Sequence, residues 1–307
     1  MEFKEFSPTF LNITNMSPML FAALLTPAPC VAGLVPAHVS RTLQPKLLFS
    51  PPTRTPPEVT DEDGSFGKAL RRLQASPTRA AMLATYLSAL FYVGSGSAPQ
   101  GSPDETLAIV MNCLDTAAEP SIFFVIFNAL GVLPALYAAV LLPGAKDQRP
   151  APPALIATSF FAGFGGLGPY LFLRQPRPQP ISRAELGFIA RTVTESKLFG
   201  VAMVLTSLGL GAKLATIPDF DAALATYWSL FDQFGIVNVS SFDLLVLSLF
   251  FFEPLREDMQ RRGWYAAPGE DPSTEEIARL AAFCAVPVLG PAAYVLARPA
   301  LPLTESE

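Results

Sequence analysis

"VSSFDLLVLSLFFFEPLREDMQRRGW" (residues 239–264) places one carboxylate, Asp243, in a run of Leu, Val and Phe otherwise suited to lipid, and ends in charges that start at Glu253. Such a run reads as a membrane-crossing helix, because a helix needs about 20 apolar residues to traverse a bilayer core. The whole chain shares this character. Half of its 307 residues are hydrophobic, 15% are charged and the mean hydropathy is +0.37, above the range of ordinary soluble domains. A polytopic membrane protein follows, and an all-α one, since exposed strand edges cannot be satisfied in lipid.

Working outward, six segments have the makings of spans: 79–94, 121–144, 154–173, 198–216, 236–252 and 277–297. They predict a transmembrane helical bundle over residues 79–299, with a polar segment 58–78 before it and a short polar tail 300–307 after it. Ser273 and Glu276 form a capping box ahead of the last span. In "IPDFDAALATYWSLFDQFG" (217–235), Phe220, Leu224, Tyr227, Phe231 and Phe234 share one helical face, with Trp228 beside it and Asp219 as cap. This predicts an amphipathic helix lying on the membrane interface before the fifth span; the pattern also suits a loop helix packed on its own bundle. In "SFFAGFGGLGP", Ser159 with Gly163 and Ala162 with Gly166 have the small-residue spacing that lets helix backbones approach, so Gly163 and Gly166 are expected against another helix. No internal repeat stands out.

Polar residues inside spans mark candidate sites. Asp243 and Lys213 stand at matching depths on consecutive antiparallel spans, which predicts a buried pair, with Ser240 one turn back as a supporting donor. Asn128 is a second polar group within a span, and Glu253 with Arg256 is expected at a mouth. Glu253 follows Asp243 by about 15 Å along one helix, too far for a catalytic pair. No catalytic or metal residue is expected.

The N-terminal stretch has a composition of its own. Between Phe6 and Pro57 there is no Asp or Glu, whereas Arg41, Lys46, Arg54 and many Ser, Thr and Pro residues occur. That is the composition of an organellar transit segment, and the apolar stretch 19–33 within it resembles a signal core, so residues 1–57 are expected to be a plastid-targeting segment. A Pro-rich disordered tail is the bland alternative. Losing it would remove His38, the chain's sole histidine, and four of its 21 Lys/Arg against two of its 26 Asp/Glu. Such an acidic remainder is no nucleic-acid binder, and without histidine it cannot hold a His-ligated haem, a usual zinc site or a Ser/His/Asp triad. Cys30, Cys113 and Cys284 make no CxxC pair.

Charge asymmetry leaves orientation open. With six spans, the basic loops 174–197 and 253–276 share one face, while Lys68, Arg71, Arg72 and Arg79 favour the other. The conflict vanishes if one glycine-rich or short segment fails to cross.

"FNALGVLPALYAAVLLPG", "GFGGLGPYLFLRQPRP", "SSFDLLVLSLFFFEPLREDMQRRG" and "VPVLGPAAYVLARP", in that order, resemble a family of uncharacterised integral membrane proteins of cyanobacteria and plastids. The resemblance implies a thylakoid or plastid-envelope location. Two function classes remain. One is a non-enzymatic structural, assembly or accessory subunit of the photosynthetic membrane, in contact with lipids and a photosystem or antenna complex. The other is a small-solute or ion transporter that uses Asp243. No cofactor is required, and chlorophyll, carotenoid or lipid would bind incidentally.

Overall fold

The computed structural model describes residues 76–301 except 116, 147, 149, 150, 183 and 184, together with Leu303 and Thr304. The expected targeting segment 1–57, most of segment 58–78 and part of the tail 300–307 lie outside these residues. Among the described residues the chain is helical, apart from a short parallel bridge of β1 (Ile181–Ser182) with β2 (Leu303–Thr304).

The helices are α1 (Pro77–Gly94), α2 (Pro103–Leu114), α3 (Ile122–Leu141), α4 (Pro152–Leu173), α5 (Lys197–Ala215), α6 (Phe220–Gln233), α7 (Gly235–Phe250), α8 (Phe252–Arg261), α9 (Thr274–Ala285) and α10 (Leu289–Ala297). Local chemistry sets many of their starts. The side chains of Ser102, Ser121, Ser196, Asp219 and Ser273 each accept a first-turn backbone N–H, and proline opens α1, α2 and α4. The Asp219 cap and the Ser273–Glu276 capping box are as the sequence predicts. Among the described residues four segments are long and apolar enough to cross a membrane: 122–144, 152–173, 197–215 and 235–261.

One of those four does not run straight. Gly163 has φ 49° and ψ −128° in the middle of α4, and a Cβ on Gly166 would stand 2.8 Å from the backbone of Thr158 and Ser159. Residues seven and eight apart in a straight helix are separated by more than about 10 Å. The flanks of α4 also meet. The Gln148 side chain donates to Gln175 O (2.6 Å) and accepts from Gln175 N (3.0 Å), although a straight helix of 22 residues would hold its ends about 33 Å apart. Residues 152–173 are therefore a helical hairpin, hairpin 1, with Gly163 at its tip.

The expected last span folds back as well. Val288 has φ 63°, and a Cβ on Gly290 would overlap the Phe283 carbonyl. The rings of Phe283 and Tyr294 lie 5.4 Å apart, where a straight helix would separate them by about 16 Å. Helices α9 and α10 thus make hairpin 2, and the expectation of six straight spans is corrected. Arms of this length reach about halfway through a bilayer core.

The remaining long elements run from end to end of the bundle. At one end, the charged end, lie Arg79 at the start of α1, the end of α3, the openings of both hairpins, the start of α5 and all of α8. At the far end Tyr92 of α1 donates to Asn238 of α7 (3.1 Å), and Cys113, Phe123, Phe124, Phe234 and Val237 form a small cluster under α2 and α6. The main core lies around α3, where Leu133, Leu136 and Tyr137 are fully buried and Tyr137 donates to Leu247 O (2.7 Å) with its ring 4.6 Å from Phe251.

This order of elements occurs twice. A long helix away from the charged end, a short capped helix at the far end, a long helix back and a hairpin form α1–α2–α3–hairpin 1, and again α5–α6–α7/α8–hairpin 2. Leu167-Gly168-Pro169 precedes Arg174 in one hairpin, and Leu289-Gly290-Pro291 precedes Arg298 in the other. Arg79, in the first turn of α1, donates to Arg174 O (2.7 Å), as Lys197, the first residue of α5, donates to Arg298 O (2.9 Å). The two halves are a parallel repeat. The sequence hid it because a position that faces lipid need only be apolar, so side chains diverge while the path of the chain persists.

Candidate functional site

Two constellations stand out. The first is a buried clamp built on α8. Its sequence, FEPLREDMQR, places Glu253, Glu257 and Arg261 four residues apart on one face, with Asp258 and Arg262 beside them. Arg174, from the end of hairpin 1, reaches both Glu257 and Glu253, the latter at 3.2 Å without hydrogen-bond alignment. Arg79 joins Glu253 at 3.1 Å. Asp258 is fully buried and accepts from Arg261 (2.9 Å), Arg262 (2.8 Å), Arg298 (2.9 Å) and the Tyr294 hydroxyl (2.8 Å). Glu195 closes the set through Arg262 (2.6 Å) and Arg298 (2.9 Å). Burial alone would lower the pKa of Arg174 and Arg262, but the adjoining carboxylates, Glu257 and Glu253 for the first and Asp258 for the second, raise both well above the ordinary value.

Five arginines here face four carboxylates. The surplus charge is met by carbonyls at helix ends, with Arg298 donating to Ala139 O (2.8 Å) and Arg261 to Val140 O (3.5 Å), where the α3 dipole is negative. The clamp therefore ties α1, α3, α8 and the closing ends of both hairpins to one another. Its groups are spent on each other, which suits them to fixing geometry rather than to proton transfer.

The second constellation is the tip of hairpin 1. A side chain at Gly163 would overlap the Asp243 carboxylate, so Asp243 packs against the turn that leads into Phe164, the first residue of the second arm. Asp243 thus comes from another helix to the N-terminus of that arm, where the arm's dipole is positive. It follows Gly235 by about 12 Å and precedes Glu253 by about 15 Å along the helix, which is mid-depth.

The other expected site residues fall as follows. Lys213 lies over the Phe124 ring, 5.7 Å from its centroid, and Asp243 packs against the hairpin tip at Gly163, so the expected Asp243–Lys213 pair gives way to a contact between carboxylate and turn. Ser240 is buried, but it is Ser241 whose hydroxyl meets Tyr227 (2.9 Å). Asn128 donates to Cys113 O (3.0 Å) and Phe124 O (2.9 Å), fastening α2 to α3. Glu253 is buried between Arg79 and Arg174 whereas Arg256 is exposed, so the two do not form a mouth. Gly163 lies against the Asp243 side chain of α7, and Gly166 packs against its own hairpin's first arm. The glycines that admit a neighbouring helix are Gly168, where a Cβ would stand 2.8 Å from Tyr86, and Gly200, where it would stand 2.8 Å from Leu296 Cα. Burial pushes the Cys113 thiol up to about 11, away from nucleophilic use. Sequence reading missed Arg174 and Arg298 as clamp residues, although both follow a Leu-Gly-Pro motif and stand shortly before proline. Comparison with protein-family models, with curated proteins and with solved structures returned no match for this chain.

Proposed function

We propose that this chain is a multi-pass membrane protein that moves a small solute or ion. In this reading α1, α3, α5 and α7–α8 cross the bilayer and the two hairpins re-enter from the charged end. The observation that carries it is the meeting of a hairpin tip with a lone acid at mid-depth. Irregular backbone at membrane depth persists where it is buried in protein or lines a path, and transporters place discontinuous half-helices from internal repeats around their binding sites. The acid-free stretch 6–57 supports a plastid membrane, thylakoid or envelope, as the location.

Reconstituted protein should pass inorganic ions into liposomes under an imposed potential, above empty liposomes, and Asp243→Ala should lose that flux. A second reading, the accessory subunit of a photosystem, antenna or other large complex, is favoured by the exposed Phe220 and Trp228 of α6, which suit an interfacial helix or a docking face. Tight proteoliposomes together with comigration in a large complex on native gels would decide for it and against transport.

A further inference from the structure

We infer that hairpin 1 is held by a proton-operated latch, in which the Asp243 carboxylate anchors the N-terminus of the second arm and proton uptake by that carboxylate releases it. The latch deepens the transport reading and rests on it only for the consequence that release opens a path.

The geometry is specific to one tip. Gly163 is in the left-handed region, and the volume that its Cβ would fill is occupied by Asp243, so carboxylate and turn are fitted to each other. An ionised carboxylate is attracted by the positive end of the arm; a protonated one loses the charge and much of that attraction. Other charges are remote. Residues 152–173 of hairpin 1 and 122–141 of α3 contain no Asp, Glu, Lys, Arg or His. On α7 Asp243 is the sole charged residue, and Glu253 beyond it on α8 is engaged by Arg79 and Arg174. Helix α1 turns Tyr86 to the hairpin and Tyr92 to Asn238, and α6 turns Tyr227 to Ser241. Asp219, Asp221 and Asp232 of α6 are exposed at the far end. The tip of hairpin 2 is built on Val286, Pro287 and Val288 and has no such acid in its turn. A proton arriving from water therefore has one carboxylate to take it at mid-depth, and that carboxylate holds the hairpin.

The test uses the full chain in liposomes with Cys30, Cys113 and Cys284 replaced by Ala and a spin label at Phe161→Cys, beside the tip. The label should be held in alkaline buffer and become mobile in acid, while Asp243→Asn, which keeps an acceptor oxygen but cannot titrate, should hold one mobility throughout. A label at Val286→Cys on hairpin 2 should not respond to pH. Retention of the full acid response in Asp243→Asn overturns the latch, as does an equal response from both hairpins. Should Asp243→Asn fail to fold, a Phe161→Cys spectrum that does not change with pH while Asp243 is intact overturns it as well. Ion flux is read separately: a pH response without flux keeps the latch and sinks transport, and flux without a pH response does the reverse.

Discussion

Asp258 shows how much one buried side chain can hold. Three guanidinium groups and the Tyr294 hydroxyl converge on its two oxygens. Asp258→Ala leaves those arginines buried with too little negative charge, and loss of one member of a buried ionic group typically costs about 3–5 kcal/mol. The variant should melt well below the parent in detergent, whereas Arg256→Ala, at an exposed position of the same helix, should melt with it. Glycines sort in a similar way. Gly200→Leu would drive a side chain into the Leu296 backbone, and overpacking of this kind costs about 1–3 kcal/mol. Gly211→Leu, with open space around its Cβ, should be nearly neutral in the same thermal assay.

Among the elements, the hairpins depart furthest from what hydropathy implies. Their arms satisfy backbone groups internally up to the turn, and each turn is anchored by one buried side chain, Phe164 in hairpin 1 and Val288 in hairpin 2, while Phe161 and Val286 beside them are exposed. Gln148 and Gln175 flank hairpin 1 and bond to each other. In a chain with its natural cysteines replaced, Gln148→Cys with Gln175→Cys should therefore cross-link on mild oxidation. A straight span would keep the two thiols on opposite faces of the membrane, about 33 Å apart, and leave them unlinked.

For the whole molecule, the hairpins remove the conflict in charge distribution. Because residues 152–173 return to the end they left, Arg79, Arg174, Arg177, Lys197, Arg261, Arg262 and Arg298 all gather at one end. The short helices of the far end carry Asp104, Glu105, Asp219, Asp221 and Asp232, all exposed, with Lys213 near them at the end of α5. Positively charged loops stay on the cytoplasmic or stromal side, so the charged end should face it. Epitope tags placed after Gly101 and after Pro218 should be protected together in sealed, correctly oriented vesicles, while tags after Gln175 and after Gly269 should be accessible together. A tag after Gln175 that shares the protection of the one after Gly101 would contradict hairpin 1.

By itself the sequence determined the membrane character, the helical class, the capped starts at Asp219 and Ser273 and the amphipathic pattern of α6. These are local matters: the transfer free energy of a run of residues, and neighbours three or four positions apart. It also marked Asp243 as a residue in need of a partner, since an acid in a Leu-rich helix is costly unless it is engaged. Tertiary structure decided which partner, turning Lys213 toward Phe124 and Asp243 toward Gly163 and Phe164. It also decided whether residues 152–173 and 277–297 cross or fold back. Composition is the same for either path, because an apolar helix of 22 residues and two apolar half-helices bury similar side chains in similar surroundings. The choice lies in the left-handed turn at Gly163, in a carboxylate distant in the chain, and in arginines that draw the closing end of each hairpin to one clamp, and none of these is a property of the segment alone.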